Sequence, residues 1–470
     1  MENFYFWDSE VWGIVSLISV LFLTMLVANV LKKNISFLQK SLIPTSVLGG
    51  LILFAVSAVF EGITGKAIFN TKFFGGNGSS VLEIITYHAL ALGFIATTLK
   101  NTDKKFTKKR TNEIFNTGVT TVACYLVQAV VGMGITILVA ATFIPDLFPA
   151  SGVLLPFGYG QGTGQALNWG TTYENDYGFL NGSSFGLTIA ALGFLSASFG
   201  GVIHLNILKK KGRIIIAGEG EQKLTSEDVQ ADNEIPMNGS MDKLTVQIAL
   251  VLLAYVMTYF IMLGLGKVLP GMKSVIYGFN FLFGVLCATL IKVIAKFFHK
   301  KNIIKKYHRN NFLLDRVSNT CFDVMVVAGI AAIRLTALGD YWLILLILGV
   351  VGAVITYFYN LFIARKFFPE YSEEQFLMMY GMLTGTASTG VILLREIDPD
   401  FKTPVSDNLV YQNFPAIVFG FPLMLLANLA PKQPLLTFGI LVAFLAVMNI
   451  ILFRNQIFKR KKSLVSEITE

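Results

Sequence analysis

LPFGYGQGTG at residues 155–164 and YGMLTGTASTG at residues 380–390 interrupt, one in each half of the chain, a sequence that is otherwise strongly apolar. A helix in lipid cannot leave backbone N–H and C=O groups unpaired, so glycine-broken backbone at membrane depth is tolerated only where protein or a water-filled cavity satisfies it. Matched breaks in two halves point to a solute site between two repeats.

The surrounding composition sets the class. Hydrophobic residues make up 54% of the 470 and charged residues 14%, and windows of about 20 apolar residues recur along the whole length, the signal of membrane-spanning helices. An all-α polytopic membrane protein follows. The net charge of +9 does not imply a nucleic-acid partner, because Lys and Arg sit in short clusters between spans, where membrane topology accounts for them. Cys124, Cys287 and Cys321 are far apart in apolar stretches, without the spacing of a metal site or redox pair, and read as packing residues.

The acidic MENFYFWDSE precedes an apolar run that ends at Lys32 and Lys33. A secretory signal would place its positive charge ahead of a shorter run, so this is a retained first span. Further spans are expected near 42–60, 81–99, 113–143, 183–208, 244–268, 275–298, 317–337, 341–363, 409–429 and 435–453, about eleven transmembrane helices in all. One routing puts the basic clusters on a common side: Lys32 and Lys33, Lys104 to Arg110, Lys209 to Arg213, Lys300 to Arg309, Arg365 and Lys366, and Lys459 to Lys462. That side is the cytoplasm, with the N-terminus outside and the C-terminus inside.

This routing makes both broken segments re-entrant hairpins, 150–170 entering from outside and 375–395 from the cytoplasm, and sets the two halves in an inverted-topology repeat. Val81, Glu83, Gly93 and Ala96 align without a gap on Val317, Asn319, Gly329 and Ala332. The expected organisation is an N-terminal span and lead-in at 1–41, a first repeat at 42–208, a polar cytoplasmic linker at 209–243, a connecting span at 244–274, a second repeat at 275–430, and an extra C-terminal span with a basic tail at 431–470.

The run ISFLQKSLIPTSVLGGLIL at 35–53, GQGTG at 160–164, YGFLNGSSFGLTIAALGF at 177–194 with Gly200 and Gly201, and the second-half hairpin together resemble the bacterial sodium:glutamate symporter family. The similarity extends over roughly residues 10–430. It implies a sodium-coupled secondary transporter of the bacterial cytoplasmic membrane, with an inverted-repeat fold and a homodimeric state, whose transport domain moves against a scaffold. It makes glutamate the first candidate substrate and sodium the coupling ion, with no other cofactor. The chain departs from the family pattern at Gln161, where members carry histidine, in LLREIDPDFK after the second hairpin, and in the last span.

The chemistry asked of the hairpins can be stated from the residues alone. A carboxylate entering the membrane needs donors fixed in space, and a half-helix N-terminus offers free N–H groups with a partial positive charge. Glycines let backbone approach a ligand, while hydroxyls and amides add oriented donors. Gly160, Gln161, Gly162, Thr163, Gly164 and Gln165 form one candidate wall; Gly385, Thr386, Ala387, Ser388, Thr389 and Gly390 form the other. Small residues that let membrane helices pack closely are the alternative reading of each run. Sodium, a hard cation, takes oxygen ligands, and Gly385, Thr386, Ser388, Asn319 and Asp323 are the candidates. Asp323 and Arg334 also stand out because an ionised group in lipid costs about 2.5–3.5 kcal/mol unless paired or wet. Arg334 could attract an anionic substrate or snorkel to the interface, Asp323 could pair with Arg316 or Arg309, and His88 reads as hydrogen-bonded to a neighbouring helix.

The expected function is sodium symport of glutamate or a related small carboxylate by alternating access, with another organic anion such as a 2-hydroxycarboxylate as the alternative. The competing class is an intramembrane hydrolase with Ser388 as nucleophile. None of the four histidines has a spacing to Ser388 that marks a base, and no HExxH motif is present, so no enzyme is expected.

Overall fold

The computed structural model describes residues 6–100, 107–213, 234, 237, 241–270, 273–303, 306, 308–398 and 402–468. Most of the expected linker at 209–243 lies outside the described residues. In chain order the main helices are α1 (Ser9–Asn34), α2 (Thr45–Thr64), α3 (Gly78–Leu99), α4 (Lys108–Thr142), α5 (Gln161–Tyr177), α6 (Gly182–Lys210) and α7 (Lys243–Val268). They continue with α8 (Asn280–Lys300), α9 (Asn311–Ala331), α10 (Leu335–Phe367), α11 (Ser372–Thr384), α12 (Ala387–Arg395), α13 (Asn413–Leu429) and α14 (Pro434–Ile468).

Among the described residues nine helices are long and apolar enough to cross a membrane, or ten if Val405–Tyr411 and α13, bent by 48°, count as one span. The sequence expectation of about eleven is one more than the larger of these counts. The helix expected at 317–337 is the one outside that count: it forms as α9, which begins at Asn311, ends at Ala331 and carries Asp315, Arg316 and Asp323.

The chain forms two compact units: Met1–Ile35, Pro44–Lys105 and Glu221–Leu335 in the first, Ser36–Ile43, Phe106–Gly220 and Thr336–Glu470 in the second. In the first unit α3 and α9 run antiparallel. Successive contacts step in opposite directions along them: Glu83 to Arg334 at 3.3 Å, Thr97 to Ser318 at 2.6 Å and Lys100 to Asp315 at 2.6 Å. Gly93 is needed in this seam, since a Cβ there would lie 2.7 Å from the Phe322 ring. The remaining contacts come in matched pairs, α1 on α2 as α7 on α8, and α2 on α9 as α8 on α3. His88 meets the Tyr255 hydroxyl of α7 at 2.5 Å, the hydrogen bond to a neighbouring helix expected of it.

In the second unit the chain leaves α4, reverses, and returns along it, with Gly152 against Gly132 so closely that a Cβ at Gly152 would sit 2.1 Å from the Gly132 carbonyl oxygen. It then passes through a π-helical turn at Pro156–Gly160 into α5. This segment folds back on itself. Phe157 stacks on Trp169 at 5.4 Å, and at its open end Phe148 stacks on Phe179 at 4.8 Å. α5 then packs along α6 through Gly170, Gly182 and Gly186. A second reversal joins α11 to α12, with Gly381 against Gly390. The C-terminal helix α14 is part of this unit: Arg454 donates to Asn116 at 2.9 Å and Tyr359 to Asn449 at 3.0 Å, so the last span braces α4 and α10.

Candidate functional site

Two features of the sequence create the first break. Pro156 and the glycines at 158, 160, 162 and 164 weaken regular helix, and Gly162 adopts φ 77° and ψ −169°, a region that only glycine occupies readily. The helix proper resumes at Thr163. Pro156 through Gly160 and Thr163 through Leu167 are all buried, although this stretch carries hydroxyls and amides. The second break has a different local cause. Thr386 is extended, at φ −135° and ψ 170°, and caps α12 by accepting from the Thr389 N–H.

The two tips meet within the second unit. A Cβ at Gly162 would stand 3.5 Å from Thr386 Cγ2, 3.7 Å from the Gly385 carbonyl oxygen and 3.9 Å from Phe194. Two helix N-termini, each with N–H groups that the helix itself cannot satisfy, thus begin beside each other. α4 holds both tips from one face: the Tyr125 hydroxyl donates to the Gly160 carbonyl at 3.1 Å, and Gln128 Nε2 donates to the Leu383 carbonyl at 2.9 Å and to Thr356 at 2.9 Å. α6 supports them from another. Tyr380 donates to the Ser196 carbonyl at 3.0 Å, and Gly193 lies so close to the Thr384 carbonyl oxygen that a Cβ would be 2.4 Å away.

Gln165 is 2% exposed, and neither its amide oxygen nor its amide nitrogen has a hydrogen-bond partner. A buried amide left unpaired costs about 1–3 kcal/mol. Gln128 Oε1 and the Trp169 indole nitrogen are in the same position. A cluster of unsatisfied donors and acceptors around the first break is what a polar ligand would relieve.

Of the residues marked from sequence, Gly160 to Gln165, Gly385, Thr386 and Thr389 therefore belong to one unit, with the two breaks in contact. The Ser388 side chain lies outside the described residues; its backbone falls in the first turn of α12. Asn319, Asp323 and Arg334 belong to the other unit. Asn319 and Asp323 are exposed on α9, with Ser46 in hydrogen-bond reach of the Asp323 carboxylate, while Arg334 pairs with Glu83 in the turn after α9. Sequence reading overlooks Tyr125, Gln128, Phe194 and Tyr380. The available signal was Gln128, an amide in an apolar span, with Tyr125 three residues before it on the same face.

A sequence profile of the sodium/glutamate symporter family matches residues 12–372, well over half of the chain. The chain belongs to the sodium/glutamate symporter family. Membership makes it a multi-pass membrane transporter and points to sodium-coupled transport rather than enzymatic chemistry. The matched region is shorter than the 10–430 expected. It ends where α11 begins, so the first tip lies inside it, whereas α12, α13 and α14 lie beyond it. Comparison with curated proteins gives no match. Among the described residues no three His, Cys, Asp or Glu side chains converge; a cation held at the tips would take carbonyl, hydroxyl and amide oxygens.

Proposed function

We infer that the chain carries glutamate, or a closely related small carboxylate, inward together with sodium by alternating access, and that the solute binds where the two helix breaks meet. The observation that supports this most directly is the contact of Gly162 with Thr386 and Gly385, more than 200 residues apart, inside a single unit. A carboxylate at that point is stabilised by the partial positive charge of two helix N-termini, with Thr163, Gln165 and Thr389 as further polar groups and Gln161 at the rim. Gly385 carries a carbonyl oxygen and Thr386 a hydroxyl suited to sodium, and Ser388 is a further candidate.

The matched helix pairs of the first unit support an inverted repeat. A two-fold axis in the membrane plane carries α3 onto an antiparallel α9, α2 onto α8 and α1 onto α7. On that reading the repeats start at α1 and α7, so that 1–41 and 244–274 are parts of the repeats rather than additions to them. Each repeat then contributes one re-entrant hairpin to the second unit. Single cysteines at Asn175 and at Ser226, the latter outside the described residues, are expected to react with an impermeant reagent from opposite sides of the membrane, Asn175 from outside. Labelling of both from one side would remove the inverted arrangement.

The functional test is uptake into proteoliposomes. Bringing a monoanion inward against −100 mV costs about 2.3 kcal/mol, and one sodium cancels only that electrical term. More than one sodium per turnover is therefore expected, so glutamate uptake should require an inward sodium gradient and rise when valinomycin imposes a negative interior. Uptake of glutamate that proceeds equally in potassium defeats the sodium coupling, and competition by 2-hydroxy acids but not by glutamate reassigns the substrate.

A further inference from the structure

The C-terminal ends of α6 and α10 enclose a half-open cavity of about 410 Å³ in the second unit, away from the helix breaks. Its character changes sharply from one end to the other. Lys211, Arg213 and Arg365 line one end, and Ile203, Phe358 and Leu361 line the other. Both helices are long and apolar enough to cross a membrane, and both place these cations in or just beyond their last turn. The apolar end opens outward: Phe358 is 64% exposed and Ile203 58%.

The geometry points to a binding site for an anionic phospholipid, with the headgroup phosphate on Arg213, Arg365 and Lys211 and an acyl chain along Ile203, Phe358 and Leu361. One carboxylate already occupies this corner. Glu373 accepts from His204 at 2.9 Å and from Arg365 at 3.2 Å, and lies 3.7 Å from Arg213. It balances a single charge of three. The surplus positive charge and the remaining N–H donors suit a phosphate monoanion. A soluble anion would gain nothing from the apolar wall. A zwitterionic lipid would bring a compensating ammonium into a positive pocket. Basic pockets between spans at the membrane surface recognise anionic headgroups on this same physical basis.

The site is separate from the helix breaks, so its test does not depend on the transported solute. Phe358→Trp places an indole on the apolar wall, and its fluorescence is taken as the difference from the protein lacking it. In mixed vesicles, brominated phosphatidylglycerol is expected to quench this indole with about tenfold higher relative affinity than brominated phosphatidylcholine. The preference should fall to near unity in Arg213→Gln/Arg365→Gln. If that double variant does not elute as the parent does, Lys211→Gln/Arg213→Gln, which keeps the contact of Arg365 with Glu373, is read in the same way and should lose most of the preference. Equal quenching by the two lipids in the parent, or a preference that survives in a well-folded charge variant, would overturn the assignment.

Discussion

Gly162→Ala lowers sodium-driven uptake by at least about tenfold, by the reading above, while leaving a protein that elutes as wild type does. The cause is conformational rather than steric. A Cβ at this position would be 3.5 Å from its nearest neighbour outside the tip, an ordinary contact, but φ 77° with ψ −169° is open to glycine and strained for any other residue. That strain is worth about 1–3 kcal/mol. The chain can relieve it only by rotating the peptides around residue 162, which moves the start of α5 away from Thr386 and Gly385. Loss of uptake by tenfold or more is expected, since 1.4 kcal/mol is already a factor of ten. Gly62→Ala is the control, because a Cβ there meets nothing within 4 Å and the residue is helical. A folded Gly162→Ala with normal uptake would mean that the break is a packing feature and the solute binds elsewhere.

Local chemistry made the breaks legible before any coordinates. Glycine and hydroxyl runs stand out against long apolar segments, and regular helix does break at both, at Gly162 before α5 proper and at Gly385 and Thr386 between α11 and α12. Tertiary partnership is different, because it leaves no periodic trace. Arg334 and Asp323 qualified on the cost of charge in lipid, and Asn319 as an oxygen ligand, criteria that ignore who stands opposite; Glu83 answers Arg334 and Ser46 stands near Asp323. The division into two units is equally invisible in sequence, since each is assembled from three separated stretches. α9 shows the same limit of hydropathy: it carries three charges, and its packing against α2 and α3 is what holds it. The polar support of the tips by Tyr125 and Gln128 could have been suspected from their spacing, but which carbonyls they reach depends on two reversals of the chain that only the fold reveals.

Gln165→Met should make the empty protein more stable and the loaded one weaker, an opposition that packing alone cannot produce. Both amide atoms of Gln165 are buried and unpartnered, so replacing the side chain by an apolar one of similar length removes a desolvation cost of about 1–3 kcal/mol. Thermal unfolding in detergent without substrate should therefore shift upward. With substrate the sign reverses. A hydrogen bond to a charged group contributes about 1.5–3 kcal/mol, so losing it weakens glutamate binding by roughly 10- to 100-fold. Ligand stabilisation follows the ratio of concentration to dissociation constant, so a glutamate concentration that raises the unfolding temperature of wild type in sodium should leave that of Gln165→Met almost unmoved. The comparison separates two roles that loss of uptake by itself would confuse. An amide that merely packs, or that a fixed water satisfies, predicts unchanged affinity whatever happens to stability. Wild-type glutamate affinity in a folded Gln165→Met would remove this residue from the site and leave the donors of the two helix ends to bind the carboxylate alone.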